Sequence, residues 1–400
     1  MESQIEEKLE IIHDLYSLIT PHIPCDQSKI KAVHYSRLRY IDYYGTTFLR
    51  LSIELVNTAT GENWTLIAIA KILPKYSIAH DLSDIRTTFK NEVGIYMSAR
   101  RAIDAYLKDK GIRHGEDFFA NSFGGRINLN GTNEVDHNAV LVVTDLRHRG
   151  YKTVHRRTGF DLETTQAILT TLAKFHGSSL GMKLQEPKEF KDKILPYLGQ
   201  FCTTACFEKV ARSHMIQVLK NENFSPLIID RAVATFDRKC CLSTQEPWST
   251  FTHTNAWVNN IMVKYDKNNY PQDIRLKGFQ ESQYCSPVRD VLVFLFSSVQ
   301  LVVLKEHLNE LLDVYYDNFL KVLDNLNIDI KAFSRASFNQ ELKASASTGD
   351  FYKTVCKLYP ILGTNQDIYD NQVASDLKDP LHIKRLCLIV RQFDERGWLI

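Results

Sequence analysis

The chain has 400 residues, of which 44% are hydrophobic and 24% are charged, and its formal net charge is +2. This length and composition predict a folded protein with room for two lobes and exclude a disordered chain. The nearly neutral charge argues against a general affinity for nucleic acid or for an anionic membrane. We interpret the one basic run, 147–157, as a solvated face.

The N-terminal segment, 1–7, is acidic and lacks the basic and apolar regions of a signal peptide, which predicts a cytosolic protein. The eight cysteines show no paired C-x-x-C spacing, so we interpret them as free, mostly buried thiols. Cys202 and Cys206 could share a helix face, but a zinc site would need a second pair of ligands. The longest apolar run, 291–304, is too short to cross a membrane and predicts one buried helix.

The first part of the chain predicts a sheet with one main helix. Apolar residues at intervals of three and four predict an amphipathic helix over 5–18. Runs of β-branched and apolar residues predict a hairpin with strands 47–56 and 64–73. A helix over 84–107 follows, and a second hairpin leads into a strand over 139–145.

These elements make up a predicted N-lobe over 1–145, whereas the C-lobe over 146–400 is predicted to be mainly helical. Asp161 is suited to cap a long helix, because its side chain can accept a hydrogen bond from the first turn. The stretches 257–264 and 273–279 predict a short strand pair. The fold class expected from this order is α+β.

The most informative segment of the chain lies around this strand pair. Residues 252–262 read Thr-His-Thr-Asn-Ala-Trp-Val-Asn-Asn-Ile-Met, and residues 277–280 read Lys-Gly-Phe-Gln. Together they resemble the catalytic core of the insect ecdysteroid kinase-like family, also called CHK kinase-like. That family is related to choline kinases and aminoglycoside phosphotransferases. The resemblance implies a two-lobed, protein-kinase-like fold with a small β-rich N-lobe and a larger helical C-lobe.

Members of this family typically read H-G-D-x-W-x-N-N-(I/M)-M and then (V/I)-D-F-Q. In this chain Asn255 and Gly278 stand where the family has aspartates, and Thr254 stands where it has glycine. A phosphotransferase needs one carboxylate beside the substrate hydroxyl and another on magnesium. The retained motif residues are His253, Trp257, Asn259, Asn260, Phe279 and Gln280.

Other segments extend the resemblance from about residue 30 to the end. The segment 65–74 resembles the strand that carries the nucleotide lysine, here Lys71, and 89–96 resembles the helix that carries its glutamate partner, here Glu92. The segment 141–146 resembles the hinge. Further matches are 172–180, 286–290 and 395–399.

The resemblance implies that Lys71 and Glu92 form an ion pair which holds the phosphates of a nucleotide. The phosphate loop corresponds to 39–48, where Gly45 matches the family and Phe48 supplies the matching aromatic residue. Backbone amides cradle phosphate only where the chain approaches it closely, and bulky side chains fill this loop. We therefore expect weakened or lost nucleotide affinity.

An asparagine at 255 can accept a hydrogen bond from a hydroxyl but cannot take its proton, and losing such a base typically costs about 10²–10⁴-fold in rate. Gly278 offers magnesium no side-chain oxygen, which leaves Asn260 as the one metal ligand from the motif. We expect His253 to brace the loop through hydrogen bonds. Glu281 is the nearest acid that could substitute for the aspartate missing at 278.

The leading hypothesis is therefore a kinase-fold protein without phosphotransfer activity. Its ligand would be a small hydrophobic or hydroxylated molecule, a nucleotide or a protein. ATP and magnesium are implied by the resemblance, and the replaced residues argue against both. The alternative is an active ATP-dependent kinase that phosphorylates a hydroxyl of a small molecule such as an ecdysteroid. A third possibility is a purely structural interaction protein.

Overall fold

The computed structural model of the chain is α+β, as predicted. Its described residues divide into two compact units, one within Met1–Ala102 and Phe119–Tyr151 and the other within Ile103–Phe118 and Lys152–Ile400. The lobe boundary after residue 145 stays a prediction. The structure describes residues 12–23, 28–38, 46–73, 85–112, 118–199, 208–238, 246–362 and 379–400.

The first unit contains a five-stranded antiparallel sheet in the order β1-β2-β3-β5-β4. The predicted hairpin is confirmed as β2 and β3, and the strand predicted over 139–145 is confirmed as β5. The strands are β1 Ser28–Arg37, β2 Thr47–Asn57, β3 Asn63–Ile72, β4 Ser122–Arg126 and β5 Val140–Thr144.

Alternation of apolar residues fixes one face of this sheet against the core. Successive side chains of a strand point to opposite faces, and the buried positions of β2 fall on every second residue. A helix, α1 Leu15–Ile19, contributes to the same core. Residues 5–11 of the predicted helix over 5–18 lie outside the described residues. The shared core includes Leu15, Ile19, Leu49, Leu51, Ile53, Leu55, Leu66, Ala68 and Ala70.

A helical segment that begins in the first unit confirms the helix predicted over 84–107. It consists of α2 Ile85–Gly94, a π-helical turn over Ile95–Ala99 and α3 Arg100–Asp109. Glu92 lies in the last turn of α2 and is buried. The helix thus carries this carboxylate into the interior of the unit.

The second unit is mainly helical. Its first long helix begins after Asp161, whose side chain accepts a hydrogen bond from the backbone N–H of Thr164 at 2.8 Å, as the sequence predicts. The helices are α4 Leu162–Gln185, α5 Pro187–Lys193, α6 Glu208–Asn221, α7 Pro226–Asp237, α8 Val288–Ser298, α9 Leu301–Asn325, α10 Arg335–Ser345, α11 Phe351–Leu362 and α12 Pro380–Glu395.

Two short antiparallel strand pairs interrupt these helices. The predicted strand pair is confirmed, although its first strand begins later than expected because a 3-10 turn occupies Val258–Asn260. The strands are β6 Thr250–Thr252, β7 Ile261–Tyr265, β8 Pro271–Leu276 and β9 Gln283–Cys285, with β6 paired to β9 and β7 to β8.

The prediction of one buried helix over 291–304 is wrong. The run is buried in α8, but the chain turns extended at Val299, and α9 begins at Leu301. The backbone of Phe160 causes the break, because it pairs with Ser298 and Gln300 through two hydrogen bonds. The buried guanidinium of Arg385 donates to the carbonyls of Phe296 and Val299, which lack helical partners.

Within the described part of the chain, no helix combines the length and the apolar composition needed to cross a membrane. Three cysteines are described, and all three are buried free thiols, as expected: Cys285, Cys356 and Cys387. The other five, including Cys202 and Cys206, lie outside the described residues.

Candidate functional site

The predicted nucleotide residues of the first unit lie on β3 and α2. Lys71 Nζ donates to Glu92 Oε2 at 2.8 Å, and both side chains are buried. Phe48 is the β2 residue opposite Lys71, and the ammonium lies 5.7 Å from the centroid of its ring. The ion pair is thus present, whereas its role in holding phosphate stays a prediction. Gly45 lies outside the described residues.

The altered motif of the second unit forms a loop that leaves β6 and enters β7. Its residues 253–258 are buried. Phe279 packs against the loop, with its ring centroid 4.5 Å from that of the His253 imidazole. Phe175 of α4 and Phe251 of β6 belong to the same aromatic cluster. The loop therefore rests on the core of the unit.

His253 braces the loop through hydrogen bonds, as the sequence predicts. Its Nδ1 accepts from the N–H of Asn255 at 3.2 Å, and its Nε2 lies 3.0 Å from the carbonyl oxygen of Lys277. Because a carbonyl can only accept, Nε2 carries the proton in this arrangement. Both ring nitrogens are thus engaged, and the geometry supports a positioning role for His253 rather than that of a base.

A buried carboxylate joins this brace to the helices behind it. Asp290 Oδ2 accepts from the backbone N–H of His253 at 2.7 Å and from His176 Nε2 at 2.9 Å. Tyr315 bonds the other nitrogen of His176 at 2.9 Å. Burial alone would raise the pKa of Asp290, but the hydrogen bond from His176 and the bond from the His253 amide bring it below its ordinary value. Asp290 accepts hydrogen bonds from both the loop and His176, and thus holds the loop against the helices behind it.

Thr254 occupies a backbone conformation that suits glycine. Its φ is +54°, in the left-handed region, where a β-branched residue is strained. Its hydroxyl donates to the carbonyl oxygen of Glu281 at 2.5 Å, which helps to hold it there. The glycine of the family motif is explained by this conformation.

Asn255, which stands where the family has its catalytic aspartate, is contacted by a lysine that the sequence did not predict. Lys357 Nζ donates to Asn255 Oδ1 at 2.7 Å, and the same ammonium lies 5.1 Å from the centroid of the Trp257 ring. Lys357 belongs to α11, in a region where the sequence contained no motif. The structure therefore places a cation beside the position where the family has its first aspartate.

The surroundings of Lys357 affect its charge. The side chain is half-buried, and loss of hydration lowers the pKa of Lys357 to about 8, against the opposing influence of Glu281. The buried Glu281 also lies 3.9 Å from Lys353 Nζ, one helical turn before Lys357. Glu281 is thus oriented towards ammonium groups, which argues against its substituting for the missing aspartate at 278.

The two predicted metal positions, Asn260 and Gly278, are brought together. Gly278 has a φ of +80°, and a Cβ built on it would lie 2.9 Å from Asn260 Oδ1. Asn260 Nδ2 donates to the carbonyl oxygen of Asn255 at 2.9 Å. The side chain of Asn260 therefore packs over the space that an aspartate at 278 would enter.

These donors do not fit magnesium. The ion requires near-octahedral oxygen coordination that usually includes one or two carboxylates, and Asn260 supplies a single neutral amide oxygen. Among the described residues, no group of three or more histidine, cysteine, aspartate or glutamate side chains could hold a metal ion. We therefore assign no step to a metal.

One comparison with known proteins identifies a family for this chain. The sequence model of the ecdysteroid kinase-like family matches residues 40–328, which include both the Lys71–Glu92 pair and the altered loop. None of the curated proteins matches the chain in sequence.

Several solved structures are similar to this chain at low identity. A choline kinase from Cryptosporidium parvum Iowa II shares 9% identity, with a TM-score of 0.39 and coverage of 94% of this chain and 91% of that one. An aminoglycoside phosphotransferase, APH(2'')-IIIa, in complex with GDP and kanamycin shares 9% identity, with a TM-score of 0.36 and coverage of 82% and 94%. The GDP complex of a point mutant of an aminoglycoside 2'-phosphotransferase shares 8%, with a TM-score of 0.35 and coverage of 95% and 97%.

Proposed function

Because the chain belongs to the ecdysteroid kinase-like family, we propose that it binds a small molecule on a kinase-like scaffold without transferring phosphate. The observation that carries this proposal is the hydrogen bond between Asn255 Oδ1 and Lys357 Nζ. A base must accept a proton from the substrate hydroxyl, whereas here the amide oxygen already accepts from an ammonium group. Neither group in this arrangement is a free base.

The metal positions support the same proposal. Phosphoryl transfer depends on metal ions that neutralise charge on the phosphates. Gly278 contributes no oxygen, and the amide of Asn260 is turned to the backbone of Asn255. The losses at 255 and 278 therefore affect proton transfer and charge neutralisation independently.

One observation favours the alternative of an active small-molecule kinase. Lys71 and Glu92 are buried and paired at 2.8 Å, as nucleotide binding in kinase-like enzymes requires. An active kinase would use ATP and magnesium to phosphorylate a hydroxyl of a molecule such as an ecdysteroid. The pair is equally suited to a protein that binds a nucleotide without turnover. It therefore bears on whether the protein binds a nucleotide, and not on whether the protein is an active kinase.

The test combines ATP turnover with thermal unfolding. Purified protein is incubated with magnesium and ATP, with and without hydroxylated sterols, and release of ADP is measured. Thermal unfolding is followed in parallel with ADP, with and without magnesium. We expect no turnover above background. A ligand at 100 times its dissociation constant raises the free energy of unfolding by about 2.7 kcal/mol, so binding is measurable even without catalysis.

The control for Lys71 must preserve stability, because removing one partner of a buried ion pair leaves the other charge unpaired. We therefore compare the double variant Lys71→Met with Glu92→Gln, which removes both charges, against Lys29→Met on the exposed part of β1. Magnesium-dependent ATP turnover that disappears in the double variant but persists in Lys29→Met would contradict the proposal and support the active kinase.

A further inference from the structure

A positive charge from α11 lies beside the loop of the second unit at the position where the family motif carries a negative charge. Lys357 Nζ lies 2.7 Å from Asn255 Oδ1, so the ammonium occupies the immediate surroundings of the base position. A substrate hydroxyl that donated to an aspartate there would meet a donor instead. The group that fits next to an ammonium is an acceptor with negative charge.

Lys357 also has unused capacity to bind such a group. An ammonium carries three N–H donors, and Asn255 takes one of them. Among the described residues, Lys357 has no carboxylate partner within salt-bridge distance. Its side chain is half-buried rather than enclosed, so two donors remain for a ligand.

A second ammonium strengthens the positive charge of this face. Lys353 and Lys357 are four residues apart on α11 and therefore lie on the same side of the helix. Glu281 is the carboxylate that influences both, at 3.9 Å from Lys353 Nζ. Two ammonium groups and one carboxylate leave a net positive charge of one, before the burial of Glu281 is considered.

We propose that Lys357, together with Asn255, binds a phosphate group of the ligand directly, without a divalent cation. This inference rests on the proposed function, because it names the ligand class of the same loop. The fixed ammonium groups take over charge neutralisation that magnesium provides in an active kinase. The phosphate belongs either to a nucleotide or to a phosphate ester of a small molecule, and both present the same dianionic group.

The direct test measures binding in the presence of EDTA. Isothermal titration calorimetry is carried out with inorganic phosphate, with ADP, and with phenyl phosphate against phenol. We expect inorganic phosphate to bind in EDTA and phenol to bind at least tenfold more weakly than phenyl phosphate. Binding of ADP that is tighter than the binding of both inorganic phosphate and phenyl phosphate identifies a nucleotide as the source. Binding of phenyl phosphate that is tighter than the binding of ADP identifies an ester.

Two test variants and one control assign the phosphate binding to the proposed residues. Lys357→Met removes the charge at similar volume, and Asn255→Asp places a carboxylate beside Nζ that competes with the ligand. Each is expected to weaken phosphate binding at least tenfold. Lys343→Met, at an exposed position of α10, is the matched control and is expected to bind phosphate like the unchanged protein. Unchanged affinity in Lys357→Met, or no binding of phosphate in EDTA, overturns the inference.

A second measurement needs no substitution. The unchanged protein is labelled briefly with isotopic acetic anhydride, and the acetylation of each lysine is followed by mass spectrometry. Phosphate is expected to slow the acetylation of Lys357 several-fold and to leave that of Lys343 unchanged. Equal rates with and without phosphate at Lys357 contradict the inference. ATP turnover would instead contradict the proposed function, so the two failures are distinguishable.

Discussion

The layer behind the loop consists of His253, His176 and Asp290, and the face of the loop consists of Asn255 and Gly278. The layer keeps the residues of the family motifs, whereas the face does not. Behind the loop, Asp290 connects His253 to His176 through buried hydrogen bonds of 2.7 and 2.9 Å. On the face, Asn255 and Gly278 replace both carboxylates, and a lysine from α11 contacts one of these positions. The interactions that shape the loop are therefore separate from the groups that perform phosphoryl transfer, and a sequence can lose the second set while it keeps the first.

The largest expected effect comes from the layer behind the loop. Asp290→Ala removes the acceptor of two buried hydrogen bonds, and we expect the free energy of unfolding to fall by about 3–5 kcal/mol. Urea denaturation measures the change. Asp324→Ala, at an exposed position of α9, is the control and should change stability by less than about 0.5 kcal/mol. A similar small effect at Asp290 would show that the network does not hold the loop.

Gly278→Ala tests the packing on the face of the loop. The added Cβ meets Asn260 at 2.9 Å and the residue keeps a φ of +80°, so we expect a loss of roughly 2–4 kcal/mol from strain and crowding together. Gly397→Ala has a φ of +63° with open space around it and should lose only about 1 kcal/mol. Equal losses in the two variants would mean that Asn260 moves aside freely. That result would mean that an aspartate side chain at position 278 can be accommodated.

Asn255→Asp tests the charge on the face. The new carboxylate would lie beside Lys357 Nζ, at the position where an amide oxygen now accepts at 2.7 Å. Because desolvation of the buried carboxylate offsets the gain from the ion pair, we expect the free energy of unfolding to change by less than about 1 kcal/mol, with no gain in ATP turnover. A gain in turnover of tenfold or more would indicate an enzyme that lacks only its base.

The remaining prediction concerns the pH dependence of stability. Burial lowers the pKa of Lys357 to about 8, opposed by the charges of Glu281 and Cys356 and assisted by that of Lys353. The unfolded chain therefore binds more protons than the folded protein between pH 8 and the ordinary lysine value of about 10.4. The destabilising contribution of Lys357 is complete below pH 8 and disappears as the pH rises through this window.

Urea denaturation of the unchanged protein and of Lys357→Met at pH 7.5 and 9.5 measures this contribution. The stability of the unchanged protein relative to the variant is expected to increase at the higher pH. A constant difference would show that Lys357 titrates near its ordinary value in the folded protein.

The sequence predicted the scaffold better than the site. Strand alternation in β2 and the spacing of Lys71 and Glu92 depend on local patterns and on the family resemblance, and both led to the observed elements. Lys357 lies 102 residues from Asn255 along the chain, and no local pattern connects them. The break at Val299 was missed for the same reason, because it depends on pairing with the distant Phe160.

The contact of Arg385 with the end of α8 has a consequence for the order of folding during translation. Its guanidinium donates to Phe296 O, which precedes it by 89 residues. At a synthesis rate of about 5–20 residues per second, the ribosome needs roughly 4–18 s to add the intervening chain. Throughout that interval the helix that begins beside Asp290 lacks the donor for its final carbonyls. The carbonyls of Phe296 and Val299 therefore gain their Arg385 donor only after α12 has been synthesised.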